Sequence, residues 1–507
     1  MKKAVVLMAI LSQSLGMIHA DNYAETRGIG QYPGRPSQFT APKMVKDYIY
    51  RNIALNRMVY TSSNADFNLT GHLVTDGIIT SKAPSFLSVK TNEGELSNRD
   101  KEKMIDGNTV TSQYIKGENA FVEFNWEAMK VNLKKLEFTG ELAFYKDKAS
   151  QGYTIRVMGS HNGKKWEVLG EEKGSDLPGV ATKQQVSSDP NKFQDVVKLP
   201  LRKLNVSIPL KKPGSYEHIR IELIMPGAAW WRIKLIDNST SWRPSMHFAS
   251  VWKSDLAKKT DAKIQWLYVD LGTEADFDQV NLFWINKARN GKIQVSNDAK
   301  NWSDIATLGQ QKQKGLIEKI ACKGHGRYVR LLLTEPDASG RFALSEMQVM
   351  GKGGLRAETA NTLTSTNGKQ MLNQWQLRRE GSDTWIQATV PGTVLTSYMN
   401  IGAVPDNRYD DNMRQISESF FNSDFWYRTT IEYKPSANKQ QHTYLNFDGI
   451  NWKANILLNG EKIGRIDGAF IRSRIDITKK LKPGANKLEV HVIKNAHFGV
   501  VKQKNLQ

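Results

Sequence analysis

The amino-acid sequence predicts an all-β chain of several sandwiches, on three grounds. Apolar and polar residues alternate in short runs: Leu267, Val269 and Leu271 fall on one face of Trp266–Leu271, and Leu488, Val490 and Val492 do the same near the C-terminus. Period-two alternation is the pattern of a strand with one buried face, and helical periodicity is almost absent between these runs. The second ground is turn chemistry, with Asn459-Gly460 inside Leu457–Lys462 signalling a tight hairpin. The third is an internal repeat. Tyr153–Val157 leading to Trp166 matches Lys292–Ser296 leading to Trp302, His218–Leu223 matches Tyr328–Leu333, and Ala229–Leu235 matches Ala343–Val349. One sandwich is therefore expected twice.

At 507 residues, with 39% hydrophobic and 24% charged residues, the composition is that of a folded chain with several cores. The N-terminus reads as a secretory signal peptide over residues 1–20. Lys2 and Lys3 precede the apolar run Ala4–Leu11, and Ile18-His19-Ala20 makes a small-residue cleavage site. A secreted or periplasmic protein is expected, and no later run is apolar enough for a transmembrane segment. The single cysteine, Cys322, excludes a disulfide framework and reads as a buried strand residue. The formal charge of +20 is spread along the whole chain. No basic helix or nucleic-acid motif gathers it, so no nucleic-acid partner is expected.

In chain order, residues 21–47 are a Gly- and Pro-rich linker or arm whose glycines miss the dinucleotide-loop spacing. Two openings then come in succession before any body: Asn52–Asn56 with Thr75-Asp76-Gly77, and Phe86–Val89 with Ile105-Asp106-Gly107-Asn108. Two bodies follow. With the repeat, these motifs resemble the discoidin, or factor 5/8 type C, family of eight-stranded jelly rolls, which implies carbohydrate binding. A tandem order would leave the second body without its first strand. A nested order is expected instead: an outer discoidin-like domain of residues 48–83 plus 237–353, with a complete copy, 84–236, inserted in its early loop.

After a linker at 354–366, a third β region spans 367–507. Its ordered motifs are Val390-Pro-Gly-Thr393, Asp406-Asn-Arg-Tyr-Asp-Asp-Asn412, Phe425-Trp-Tyr-Arg428 and Phe447-Asp-Gly-Ile-Asn-Trp-Lys453 running on to Gly460. This order resembles the sugar-binding jelly roll that begins glycoside hydrolase family 2 enzymes, closest to the branch of β-mannosidases and exo-β-glucosaminidases. The resemblance implies a retaining exo-β-glycosidase whose two catalytic glutamates lie on a following (β/α)8 barrel. Retaining enzymes hold those carboxyl groups about 5 to 5.5 Å apart. Residues 1–507 hold no such barrel, the jelly roll reads as incomplete, and Asp410-Asp411, adjacent on an extended backbone, point apart. No catalytic residue is assigned, and no hydrolysis is expected of these residues alone. The other reading is a stand-alone secreted carbohydrate-binding or adhesion protein.

The stretch Val390–Asn412 is too long for a hairpin loop and too rich in aromatic and aliphatic residues for disorder, so it reads as a built surface. By resemblance its end, Asn412, helps hold a terminal sugar, with Asp406, Asp410 and Asp411 nearby. In the discoidin-like copies an aromatic platform for sugar is expected at Trp231, while Trp166, Trp266, Trp302 and Trp452 are assigned to cores, and Trp242 and Trp252 to the return into the outer domain. No cofactor is required. The resemblance also implies a structural Ca²⁺ on the Asp-Gly turn and a late Glu. Asp76 and Glu346 fit that pattern in the outer copy, whereas the inserted copy pairs Asp106 with Arg232, whose charge repels a cation.

Overall fold

The structure, a computed structural model, describes residues 43–494 apart from 109, 128, 145–151, 175–181, 188–195, 227, 238, 245–247, 256–263, 310–314, 359–367, 410 and 438–440. The expected signal peptide, most of the expected arm, Asp410 and residues 495–507 therefore lie outside the described residues. The regular structure of the described chain is nearly all strand, in antiparallel sheets that form sandwiches.

Contacts divide the chain into two compact units, Pro84–His247 and the remainder. Within the remainder, the early strands pair with late ones. Met58–Thr61 runs antiparallel to Gln265–Asn286, with Val59 opposite Val269, and Arg51–Asn52 pairs with Ala343–Gly353. Gln265–Asn286 is long because it serves both layers. Its first half pairs with Met58–Thr61, its second with Ala343–Gly353, and Ile317–Glu335 follows it throughout. The alternation in the sequence fixes the burial: Leu267, Val269 and Leu271 meet Val59, Val329, Leu331 and Trp252 in one core. Each such side chain contributes about 1.5–3 kcal/mol on leaving water.

The unit Pro84–His247 has its own six-stranded and five-stranded sheets around Phe124, Phe138, Val157, Ile221 and Trp231. Its end lies later than the motif boundary at residue 236 because Trp242 is wholly buried in that core, with its carbonyl accepting from Trp126 Nε1 at 2.7 Å. Trp242 is thus no part of the outer domain's return. Trp252 is, and it is buried, donating through Nε1 to the Ser63 carbonyl.

The third region is a six-stranded sheet whose centre is Phe425–Tyr433 beside Gly484–Ile493, with a two-stranded sheet of Tyr444–Phe447 and Ser473–Asp476. Asn459 and Gly460 both have positive φ, 51° and 83°, as the tight hairpin requires. This core reaches into the outer discoidin-like domain. Leu73 is buried among Trp375, Leu377, Tyr398 and Phe420, and Phe248 packs against the same cluster. Hydrogen bonds seal the junction. Ser417 N donates to His72 Nε2 at 2.9 Å, Ser419 N to Asn68 Oδ1 at 3.1 Å, and buried Arg57 donates through Nη2 to the Ile401 carbonyl at 2.7 Å.

Candidate functional site

The stretch Val390–Asn412 is built outward from a short helix, Val394–Asn400. Thr393 caps it, Oγ1 accepting from Thr396 N at 3.0 Å, which satisfies one of the first turn's free donors. Buried Asn400 donates to Thr389 Oγ1 at 2.8 Å, tying the helix to the strand it left. Gly402, at φ 72°, turns the chain away, and Ala403, Val404 and Ile401 anchor it in the core. Only then does the polar part begin. Asp406 accepts from Arg408 N and holds the Arg408 guanidinium in two bonds of 3.1 and 3.0 Å, while Asn412 Nδ2 donates to the Asp406 carbonyl at 2.9 Å. Asp406 and Asn412 are thus brought together. Asp411 is exposed next to them, Tyr409 is 60% exposed, and Asp410 lies outside the described residues. The arrangement presents the exposed Asp411 on a turn fixed by a buried base, with the Asp406 carboxylate engaged by Arg408 and the Asn412 amide by the Asp406 carbonyl.

Trp231 does not belong to any site. It is fully buried, edge-on to Phe138 at 6.1 Å, because its strand position points into the sandwich; an exposed sugar platform there is ruled out. Its neighbour Trp230 is buried as well, against Tyr114. The core assignments of Trp166, Trp266 and Trp302 also need correction, since all three are only part-buried, and Trp452 is 41% exposed with Lys453 Nζ 4.6 Å from its ring. In each case the indole lies off the inward-facing register of its strand or beside a turn. The outward register was the signal missed. Trp266, Tyr268 and Asp270 alternate with the core residues Leu267, Val269 and Leu271, and Tyr60 and Tyr328 stand beside Tyr268 across the sheet.

Asp76 and Glu346 come from opposite ends of the outer domain to one buried spot. Gly77 N donates to Glu346 Oε2 at 3.3 Å, and Asp76 accepts from Ser250 Oγ at 2.5 Å and Ile78 N at 2.8 Å. Burial pushes the Asp76 carboxyl up to about 7 and the Glu346 carboxyl well above the usual range, the latter further raised by the charge of Asp76. Glu346 Oε1 is buried without a hydrogen-bond partner. Two dry carboxyl groups with an unanswered oxygen fit a hard cation, which would relieve both burial and mutual repulsion. Among the described residues no third Asp, Glu, His or Cys joins them, so other ligands would come from hydroxyl or carbonyl oxygens such as those of Ser250 and Ser345. In the inserted copy, Asp106 is spent on Asn108 N and Thr111 Oγ1, and Arg232 is ion-paired with Glu141.

Two family models match the chain. One, described as glycosyl hydrolase 2 galactose-binding domain-like, covers residues 375–507, and the other, a NedA-like galactose-binding domain of the F5/F8 type C group, covers 234–331. The chain joins a discoidin-type region to a family 2 galactose-binding-like domain. Among curated proteins it is similar to a mannosylglycoprotein endo-β-mannosidase of Lilium longiflorum, 40% identical over 122 residues, 23% of this chain and 13% of that protein. It also resembles an exo-β-D-glucosaminidase of Amycolatopsis orientalis, 29% identical over 114 residues, 22% of this chain and 11% of that protein. The matched segments are thus a small fraction of these relatives' length. Among solved structures, a β-D-mannosidase of Dictyoglomus thermophilum matches with 30% identity and a TM-score of 0.23, covering 24% of this chain and 15% of that one. A chitosan-binding module from Paenibacillus sp. IK-5 in complex with chitotriose matches with 27% identity and a TM-score of 0.18, covering 20% of this chain and 77% of that one. No helix among the described residues is long and apolar enough to cross a membrane.

Proposed function

We propose that this chain is the carbohydrate-binding, non-catalytic region of an exported, retaining family 2 exo-β-glycosidase, which degrades glycans when joined to its catalytic barrel. The observation that carries this reading is the family 2 match over 375–507, laid over a loop whose Asp406 and Asn412 are already held together at 2.9 Å. In this role Asn412, with Asp406 and Asp411 beside it, forms one wall of a sugar site, and the barrel supplies the other wall and both catalytic glutamates. The discoidin-like pair adds affinity for the polymer, since a second tethered binding site raises the effective concentration of the first. Ca²⁺ is held by Asp76 and Glu346 in the outer copy, where it serves structure rather than catalysis, and the inserted copy takes none.

The test has two parts. The reading frame past Gln507 should encode a barrel with two glutamates, and the extended protein should release a terminal sugar from a β-mannoside, β-glucosaminide or β-galactoside. The 507-residue chain, without its leader, should bind glycans on an array and hydrolyse none. A stop codon at this point together with glycan binding would favour a stand-alone adhesion module, and no glycan binding by either protein would defeat the reading.

A further inference from the structure

We propose that the outward face of the outer discoidin-like sheet is a second sugar site, an aromatic platform for a neutral oligosaccharide built on Tyr60, Trp266, Tyr268, Trp302 and Tyr328. It rests on the carbohydrate-binding function proposed above and adds to that function a place and a ligand class. The rings form a connected row. Tyr268 lies at its centre, with ring centroids 5.1 Å from Tyr60, 5.5 Å from Trp266, 5.5 Å from Trp302 and 5.8 Å from Tyr328. All five are part-buried, although their strand neighbours Val59, Leu267, Val269 and Val329 are sealed in the core on the other side.

The fold does not require the three tyrosines of this row, because the inserted copy lacks them while keeping Phe121 and Trp166 at the positions of Trp266 and Trp302. Arg330 lies 4.0 Å over the ring of Trp302, and its counterpart Arg220 lies 4.4 Å over Trp166, so that pair is common to both sandwiches. Around it the copies diverge. Tyr60 pairs across the sheet with Tyr268, and Tyr268 with Arg330; in the inserted copy the same chain of partners is Lys90, Glu123 and Arg220, joined by an Arg220–Glu123 ion pair of 2.6 Å. His218 stands where the outer copy has Tyr328. One copy therefore carries charge and the other three tyrosines at matching positions of the same scaffold.

The ligand class follows from the polar groups. Sugars present apolar C–H faces ringed by hydroxyls, which aromatic surface with fixed donors and acceptors suits. Here Arg327 holds Asp270 in bonds of 2.8 and 2.9 Å, Lys292 pairs with Asp304, and Gln294 bridges Arg330 and Asp304 at 2.8 and 2.6 Å. Arg327 and Lys292 are each paired with a carboxylate and only Arg330, lying over Trp302, is held by an amide, which is not a positive strip of the kind that draws a polyanion, despite the chain's overall +20. The strand that carries Tyr60 also meets the end of the family 2 loop, on its inward side. Thr61, next to Tyr60, donates to Gln415 Oε1 at 3.3 Å, and Gln415 closes the turn that Asn412 opens.

The experiment titrates the chain, without its leader, with neutral manno-, cello- and N-acetylchito-oligosaccharides from tetra- to hexasaccharide, read by tryptophan fluorescence and calorimetry. One series should bind, and Tyr60→Lys with Tyr268→Glu, which installs the residues of the inserted copy, should weaken binding about tenfold or more with an unchanged melting temperature. Tyr328→His is the second variant should the first melt early, and it should weaken binding in the same series. Unchanged binding by a folded variant would overturn the platform and leave the proposed function standing. Preference for a sulfated polymer over every neutral series would overturn the ligand class. Failure of the wild-type chain to bind any sugar would remove both the platform and the function beneath it.

Discussion

At the scale of single residues, burial decides what each group can do. Cys322 is buried, and removal from water pushes its thiol up to about 11. At pH 8 about one molecule in a thousand would then carry the reactive thiolate, so the native chain should resist a disulfide-exchange reagent that labels the unfolded chain at once. Trp231 answers to the same logic. Replacing it by Ala should cost about 3–5 kcal/mol in denaturant unfolding, the price of a large core void, and should change sugar binding only through that loss. For Asp76 and Glu346, Ca²⁺ should raise the melting temperature, and a chelator should reverse the rise. Calcium at about a hundred times its dissociation constant adds about 2.7 kcal/mol. Asp76→Asn with Glu346→Gln should abolish the response, while Asp106→Asn in the inserted copy should leave it intact.

At the scale of elements, the helix Val394–Asn400 is the support for Asp406 and Asn412. Thr393→Ala removes its cap and should destabilise the jelly roll by about 1 kcal/mol. In the proposed barrel-bearing enzyme the same change should raise KM more than it lowers kcat, because it would loosen a binding wall and leave the reacting groups alone. This helix was not legible in the sequence. Seven residues carry too little periodicity to announce a helix, and Tyr398 is buried against Phe420 and Phe421, about twenty residues later, which the local sequence does not mention. What was legible was the alternation Leu267, Val269, Leu271 and the repeat behind it, since period two maps directly onto the two faces of a strand. The pairing of Asp76 with Glu346 was visible only through family resemblance, being 270 positions apart. The indoles were misassigned for a plain reason: exposure depends on register, which composition does not report, so Trp266, expected in the core, lies on the outward face, and Trp231, expected as an exposed platform, points inward.

At the scale of the whole molecule, the outer discoidin-like domain and the jelly roll share a core through Leu73 and Phe248 and a polar seam through His72, Asn68 and Arg57. They should therefore melt in one calorimetric transition. Arg57→Ala together with His72→Ala should split it in two, because the seam loses its buried hydrogen bonds while each core survives. The unit Pro84–His247 interrupts the outer domain, yet the outer domain's cut ends meet: Ser250 N donates to Thr80 Oγ1 at 3.0 Å. Replacing residues 84–247 by a short glycine-serine loop should leave the calcium response and the sugar row in place. That meeting of ends also sets a timetable. During synthesis at about 5 to 20 residues per second, the first strands of the outer domain emerge and then wait some tens of seconds or less for their partners. Met58–Thr61, with Tyr60 on it, spends that interval unpaired, so if the chain is exported as proposed, the cell has reason to keep it bound and unfolded until it has crossed the membrane.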